Sequence, residues 1–121
     1  MRFLIVDDSS TMRRIIINTL NKIGYKECHE AGNGREGIER LASTPVDMVI
    51  TDWNMPEMSG IDFIRAVRAN DATKALPVLM VTTNAAEDDI VEALKAGVNN
   101  YVVKPFTPDT IKEKIQAALK A

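Results

Sequence analysis

Val46-Asp47-Met48-Val49-Ile50-Thr51-Asp52-Trp53-Asn54-Met55-Pro56 is an apolar run that ends abruptly in a carboxylate. A short segment rich in Val, Ile and Met, with Pro45 before it and proline and glycine after it, reads as a buried strand. Asp52 then belongs at the strand's carboxyl end, where the chain leaves the sheet. In an open α/β sheet that edge is where ligands bind. A helix cap at Asp52 would be followed by apolar periodicity, whereas Asn54-Met55-Pro56 follows instead.

The same pattern recurs on both sides. Phe3-Leu4-Ile5-Val6 is an all-apolar strand that ends in Asp7-Asp8. Ser9 and Ser10 offer a capping oxygen. Met12, Ile15, Ile16, Leu20 and Ile23 fall on one helical face, and Gly24 is placed to stop that helix. Residues 26–31 are weakly patterned and suit an outer strand. Asn33 caps a helix whose apolar face is Ile38 and Leu41. Beyond Asp52, Ser59 and Asp62 have capping-box spacing with Asp in place of Glu. Phe63, Ile64 and Val67 give the next helix its buried face. Pro77-Val78-Leu79-Met80-Val81-Thr82 is a further buried strand, ending in hydroxyls. Ile90, Val91 and Leu94 are predicted inward on a helix that Gly97 ends. Tyr101-Val102-Val103 is the fifth strand and runs into Lys104-Pro105. Thr107 caps a last helix with Pro108 in its first turn and Ile111, Ile115 and Leu119 inward.

Strand and helix thus alternate five times, which predicts a doubly wound, five-stranded parallel α/β sheet with helices on both faces. The first, third and fourth strands lack alternation, as expected when both faces are covered. The 121 residues suit a single domain spanning 1–121, with no output domain expected after Ala121.

Composition narrows the function. A formal net charge of −2 gives no basic footprint for nucleic acid. No apolar run approaches the roughly 20 residues of a membrane span, and the apolar start is too short for a signal peptide. The one cysteine, Cys28, excludes an internal disulfide and fits a reducing cytosol, so a cytoplasmic protein is expected. Cys28 and His29 have no second soft ligand at useful spacing and read as structural. Met48, Met55, Met58 and Met80 read as core and loop packing.

The chemistry collects at one edge. Asp7 and Asp8, Asp52, Thr82 and Thr83, and Lys104 all follow or end parallel strands. Taken singly, Asp8 reads as a helix cap, Thr82 as a strand hydroxyl bonding backbone, and Lys104 as a solvated turn charge. Their convergence is the stronger signal. Two carboxylates 4 Å apart repel by roughly 1 kcal/mol in water and by about 4 kcal/mol at an effective dielectric of 20. Three of them would cost several kcal/mol, against a total stability of about 5–15 kcal/mol. A hard divalent cation resolves that conflict, and all-oxygen ligands favour Mg²⁺ over zinc or copper. A cation, a lysine and helix N-termini at one edge suit phosphoryl chemistry. Neither G-x-x-x-x-G-K-[ST] nor G-x-G-x-x-G occurs, so no glycine-rich loop cradles a nucleotide.

The set Asp7-Asp8, Asp52, Thr82 and Lys104-Pro105 on this framework resembles the receiver domain of two-component response regulators. Asp52-Trp53-Asn54-Met55-Pro56 with Gly60, and Tyr101-Val102-Val103-Lys104-Pro105-Phe106-Thr107, look especially like the single-domain chemotaxis regulators of that family. The resemblance covers the whole chain. It implies a flavodoxin-like strand order 2-1-3-4-5 and a cis Lys104–Pro105 bond. It implies Asp52 as phosphate acceptor from a histidine kinase, forming an acyl phosphate. Asp7, Asp8, Asp52 and the backbone carbonyl of Asn54 would hold Mg²⁺, and Lys104 would pair with the phosphoryl oxygens. Thr82 would turn its hydroxyl toward the phosphoryl group, and Tyr101 would then favour an inward rotamer. Partners would dock on the face made by the fourth helix, fifth strand and fifth helix. Asn54 and Asn84 stand at positions that tune the acyl-phosphate lifetime. Thr83 departs from the family's very small residue there, and its β-branched side chain would narrow access to the site.

The expected product is a stand-alone, monomeric, phosphorylation-controlled binding module. Its expected partners are a histidine kinase, a phosphatase and the flagellar motor switch protein, with no nucleic acid and no membrane. It is not an enzyme with an external substrate. A single-domain phosphorelay shuttle needs the same site and is the alternative. A small Mg²⁺-dependent aspartyl phosphatase of the haloacid-dehalogenase kind needs D-x-D-x-[TV] after its first strand, where Asp7-Asp8-Ser9-Ser10 stands. A flavodoxin-like FMN carrier shares the layout, but the acids would repel its phosphate.

Overall fold

The computed structural model describes residues 1–120. Strands and helices alternate as β1 (Arg2–Val6), α1 (Ser10–Lys22), β2 (Glu27–Ala31), α2 (Gly34–Ser43), β3 (Met48–Thr51), α3 (Gly60–Ala69), β4 (Val78–Thr82), α4 (Glu87–Ala96), β5 (Asn100–Val103) and α5 (Pro108–Lys120). Every neighbouring pair of strands is parallel, in the order β2-β1-β3-β4-β5. This is the doubly wound, flavodoxin-like sheet that the alternation and the resemblance predict, with the weakly patterned β2 at an edge.

Period-two geometry divides the apolar strands between two cores. Leu4, Val6, Val49, Val78 and Met80 face α2, α3 and α4, where Phe63, Ile64 and Val67 meet them. Phe3, Ile5, Met48, Ile50, Leu79 and Val81 face α1 and α5, against Ile16, Leu20, Ile111 and Ile115. β3 and β4 are buried along their whole length, so neither can show alternation. The helix signals act where expected. Ser9, Asn33 and Ser59 accept hydrogen bonds from the amides of Met12, Glu36 and Asp62. Thr107 caps α5 by accepting from the Thr110 amide at 3.2 Å. Gly24 and Gly97, both at positive φ, follow the ends of α1 and α4. The Lys104–Pro105 bond is cis.

Three apolar side chains expected inward point to solvent. On α1, Ile15 is 44% exposed, and the buried stripe instead runs through Ile16, Thr19 and Leu20. Thr19 can lie inside because its hydroxyl donates to the Ile15 carbonyl at 2.9 Å. On α4, Val91 and Leu94 are 42% and 50% exposed. There the inner stripe is Ile90, Ala93 and Ala96, because small alanines let the helix lie close while the bulkier residues fall outside. The capping box at Ser59 is half formed: Asp62 supplies its amide, but its carboxylate accepts from Arg65 at 3.4 Å.

At the strands' amino ends Arg68 ties the sheet together. Its guanidinium donates to the carbonyls of Lys74, Leu76 and Gly97 and to Asn99 Oδ1, at 2.6–3.1 Å. Among the described residues no helix is long and apolar enough to cross a membrane.

Candidate functional site

Each candidate residue is set by the sheet's own ladder, carried one residue past the strand. The Asp7 amide donates to the Ala31 carbonyl at 3.1 Å, Asp52 to Val6 at 2.9 Å, and Lys104 to Thr82 at 2.8 Å. Val6 pairs with Thr51, so the next residues, Asp7 and Asp52, emerge side by side. Between β1 and β3 the chain reverses its direction of travel across the sheet, which leaves a crevice at their carboxyl ends.

Asp7, Asp8 and Asp52 meet in that crevice, with one carboxylate oxygen from each within 4.8 Å of the others. Lys104 Nζ bridges them, donating to Asp7 Oδ2 at 3.1 Å and to Asp52 Oδ2 at 3.0 Å. Asp7 is 2% exposed and its Oδ1 accepts from the Ser9 amide at 2.9 Å. Asp52 is 9% exposed, and its Oδ1 accepts from the Trp53 amide at 2.6 Å. Gly60 backs this turn, donating its amide to the Trp53 carbonyl at 2.7 Å. A Cβ there would stand 2.0 Å from the Asp52 carbonyl oxygen, so only glycine fits without moving Asp52.

The electrostatics of the cluster favour positive charge beside it. Burial pushes the Asp7 carboxyl above the usual carboxylate range, despite the opposing pull of the Ser9 amide and Lys104. Burial also disfavours the Lys104 ammonium. Hydrogen bonding and attraction from Asp52, and then from Asp7, outweigh that and raise its pKa. The donor set is all oxygen, which fits a hard divalent cation.

The remaining candidates form one chain of hydrogen bonds through Asn84. Thr82 is fully buried, and its Oγ1 accepts from the Asn84 amide at 3.3 Å. The Tyr101 hydroxyl turns inward and donates to the Asn84 carbonyl at 2.7 Å. Burial, with Asp89 and Asp52 nearby, pushes Tyr101 up to about 12. Asn54 Nδ2 donates to Asn84 Oδ1 at 3.0 Å, joining the loops after β3 and β4 above the crevice. Thr83 is exposed. Cys28 and His29 lie on β2, paired with Phe3 and Leu4, short of the strand ends where the acids emerge.

Sequence reading passed over Arg13. Its guanidinium donates to the Asp7 carbonyl at 2.6 Å and to Glu30 Oε1 at 2.9 Å. The one available sign was a basic residue a turn into α1, where the helix dipole favours acids.

Fold and site together define a class: a doubly wound domain with an acidic, lysine-bridged centre at its topological switch point. The family model for the response regulator receiver domain matches residues 3–116. The chemotaxis protein CheY of Pseudomonas aeruginosa is 56% identical over 116 residues, covering 96% of this chain and 94% of that one. CheY1 of Helicobacter pylori is 52% identical over 120 residues, covering 98% and 97%. Among solved structures, CheY4 of Vibrio cholerae superposes with a TM-score of 0.89 at 36% identity, covering 97% of each chain. A putative response regulator from Chloroflexus aurantiacus gives a TM-score of 0.93 at 30% identity, covering 99% and 98%. The chain belongs to the response regulator receiver domain family.

Proposed function

We propose that this chain is a chemotaxis response regulator, switched by phosphorylation of Asp52. The observation that carries the reading is the meeting of Asp7, Asp8, Asp52 and Lys104 at one strand-end crevice. Asp52 attacks the phosphorus of a histidine kinase's phosphoimidazole in line. An acyl phosphate forms, and the histidine leaves with the electron pair of its P–N bond. Asp7, Asp8 and Asp52, with the Asn54 carbonyl, would hold Mg²⁺, which supplies charge neutralisation at the phosphoryl oxygens. Lys104, already bonded to Asp52, follows the new negative charge onto the phosphoryl group. Thr82 gives up the Asn84 amide to bond a phosphoryl oxygen. Asn84 passes that movement to Tyr101, which holds its carbonyl.

Output then falls to the face of α4, β5 and α5. Val91 and Leu94 on α4 and Val103 on β5 are exposed apolar side chains that a partner protein could cover. The relatives' names place them in chemotaxis, and on this reading the partner is the flagellar motor switch and the protein acts as a cytoplasmic monomer. Catalysis is confined to the protein's own phosphorylation and dephosphorylation.

Incubation with acetyl phosphate and Mg²⁺, followed by mass mapping, tests the chemistry. The wild type should gain one phosphoryl group on the peptide holding Asp52, and Asp52→Asn should gain none. Labelling that survives the substitution would place the acceptor elsewhere. A motor-switch peptide should bind more tightly in the presence of beryllofluoride, and unchanged affinity would refute the motor assignment.

A further inference from the structure

Among the described residues Asp8 is the one cluster carboxylate that makes no hydrogen bond. Asp7 is held by the Ser9 amide and Lys104, and Asp52 by the Trp53 amide and Lys104. Asp8 is exposed, yet its oxygen lies within 4.8 Å of two other carboxylates, which repel it. Its place must therefore come from its backbone. The peptide that joins Asp7 to Asp8 is gripped at its carbonyl by Arg13, at 2.6 Å. Arg13 is in turn anchored by Glu30 at the end of the edge strand, 2.9 Å away. The Asp7 amide bonds Ala31, one residue beyond Glu30, so both sides of Asp7 are tied to the same stretch of chain.

We infer that Arg13, clipped to Glu30, is the positioning residue that aims Asp8 into the cluster and thereby sets the affinity for the cation. The inference rests on the reading of this centre as a Mg²⁺ site. Helical side chains lean toward the helix N-terminus, so a residue one turn into α1 can reach back to the carbonyl before it. The guanidinium fork suits two acceptors in different directions, which a lysine ammonium on a single stem matches poorly. Partners that orient metal ligands commonly control metal affinity by 10–100-fold.

Charge alone predicts the opposite sign. Arg13 is a cation beside an acidic site, so its removal should tighten Mg²⁺ binding if it acts only through its field. Titration with MgCl₂ at fixed ionic strength, read by Trp53 fluorescence and by calorimetry, separates the two. Arg13→Ala should bind Mg²⁺ about tenfold more weakly than the wild type. Arg13→Lys, which keeps the charge, should also bind more weakly. Glu30→Ala should weaken binding severalfold, and adding it to Arg13→Ala should cost nothing more, because the clip is already open.

Equal or tighter binding by Arg13→Ala overturns the inference, as does full additivity in the double variant. If Arg13→Ala shows no cooperative melt, Arg13→Lys and Glu30→Ala decide by the same criterion, and wild-type affinity in both overturns it. A wild type that ignores Mg²⁺ removes the cation site and the inference together. A wild type that binds, with variants that bind equally, removes the inference alone.

Discussion

Asp52 is placed by a residue that lacks a side chain. Gly60 lies against the Asp52 carbonyl, and a methyl group there has no room. Gly60→Ala should cost about 1–3 kcal/mol in urea unfolding, and acetyl-phosphate labelling should slow because Asp52, the proposed acceptor, is displaced. Wild-type stability and labelling together would show that the turn yields freely. Tyr101 makes a different statement. It is neutral in both states below about pH 9, a unit under the ordinary tyrosine value of about 10. Between 10 and its folded value of about 12, the unfolded chain ionises first, so stability falls as pH rises. The loss should approach about 2–3 kcal/mol. Tyr101→Phe shifts stability by a constant amount and should remove this part of the alkaline slope. Parallel slopes for the two proteins from pH 9 to 12 would contradict it. Residues of this kind differ in legibility. Asp52 and Lys104 could be read because each ends an apolar run. Arg13 could not, because its partners are a backbone carbonyl and a glutamate 17 residues away.

Among the helices, α4 is the weakly held element. It has no side-chain cap, and only Ala93 along it is fully buried. Val91 and Leu94 contribute little to holding it down, since they face solvent. Its first-turn acids, Glu87, Asp88 and Asp89, suit the helix dipole but are no substitute for packing. Backbone amides of α4 should exchange with deuterium at least about tenfold faster than those of α1, a contrast measurable by NMR. Equal protection would mean that α4 is as firmly docked as the rest. Strand and helix identities were legible because the apolar runs and caps are local signals. Helix orientation was not. An apolar arc wider than one face can be buried along either side, and packing distance decides which. Alanine at 93 and 96 wins over valine at 91 and leucine at 94 for that reason, and a hydroxyl that bonds its own helix lets Thr19 replace Ile15.

Taken whole, the molecule carries an internal electrostatic conflict at one edge of the sheet. Lys104 offsets two of the three carboxylates and makes no hydrogen bond to the third. Asp8→Ala should therefore raise the melting stability of the metal-free protein, by about 1 kcal/mol at low salt. Millimolar Mg²⁺ should stabilise the wild type, and Asp8→Ala should abolish that response. A melting series in MgCl₂ reads both effects, and an undiminished Mg²⁺ response in the variant would refute the assignment. The opposite edge carries no such conflict, because every acceptor of Arg68 is a neutral carbonyl.

Lys104 and Asp7 are partners separated by 97 residues. Protein synthesis delivers the acid early and its ammonium only after β5 has been made. A nascent or truncated chain ending before that point holds the carboxylates without their counter-charge. The acidic cluster is thus balanced only once the strand furthest from it in sequence has joined the sheet.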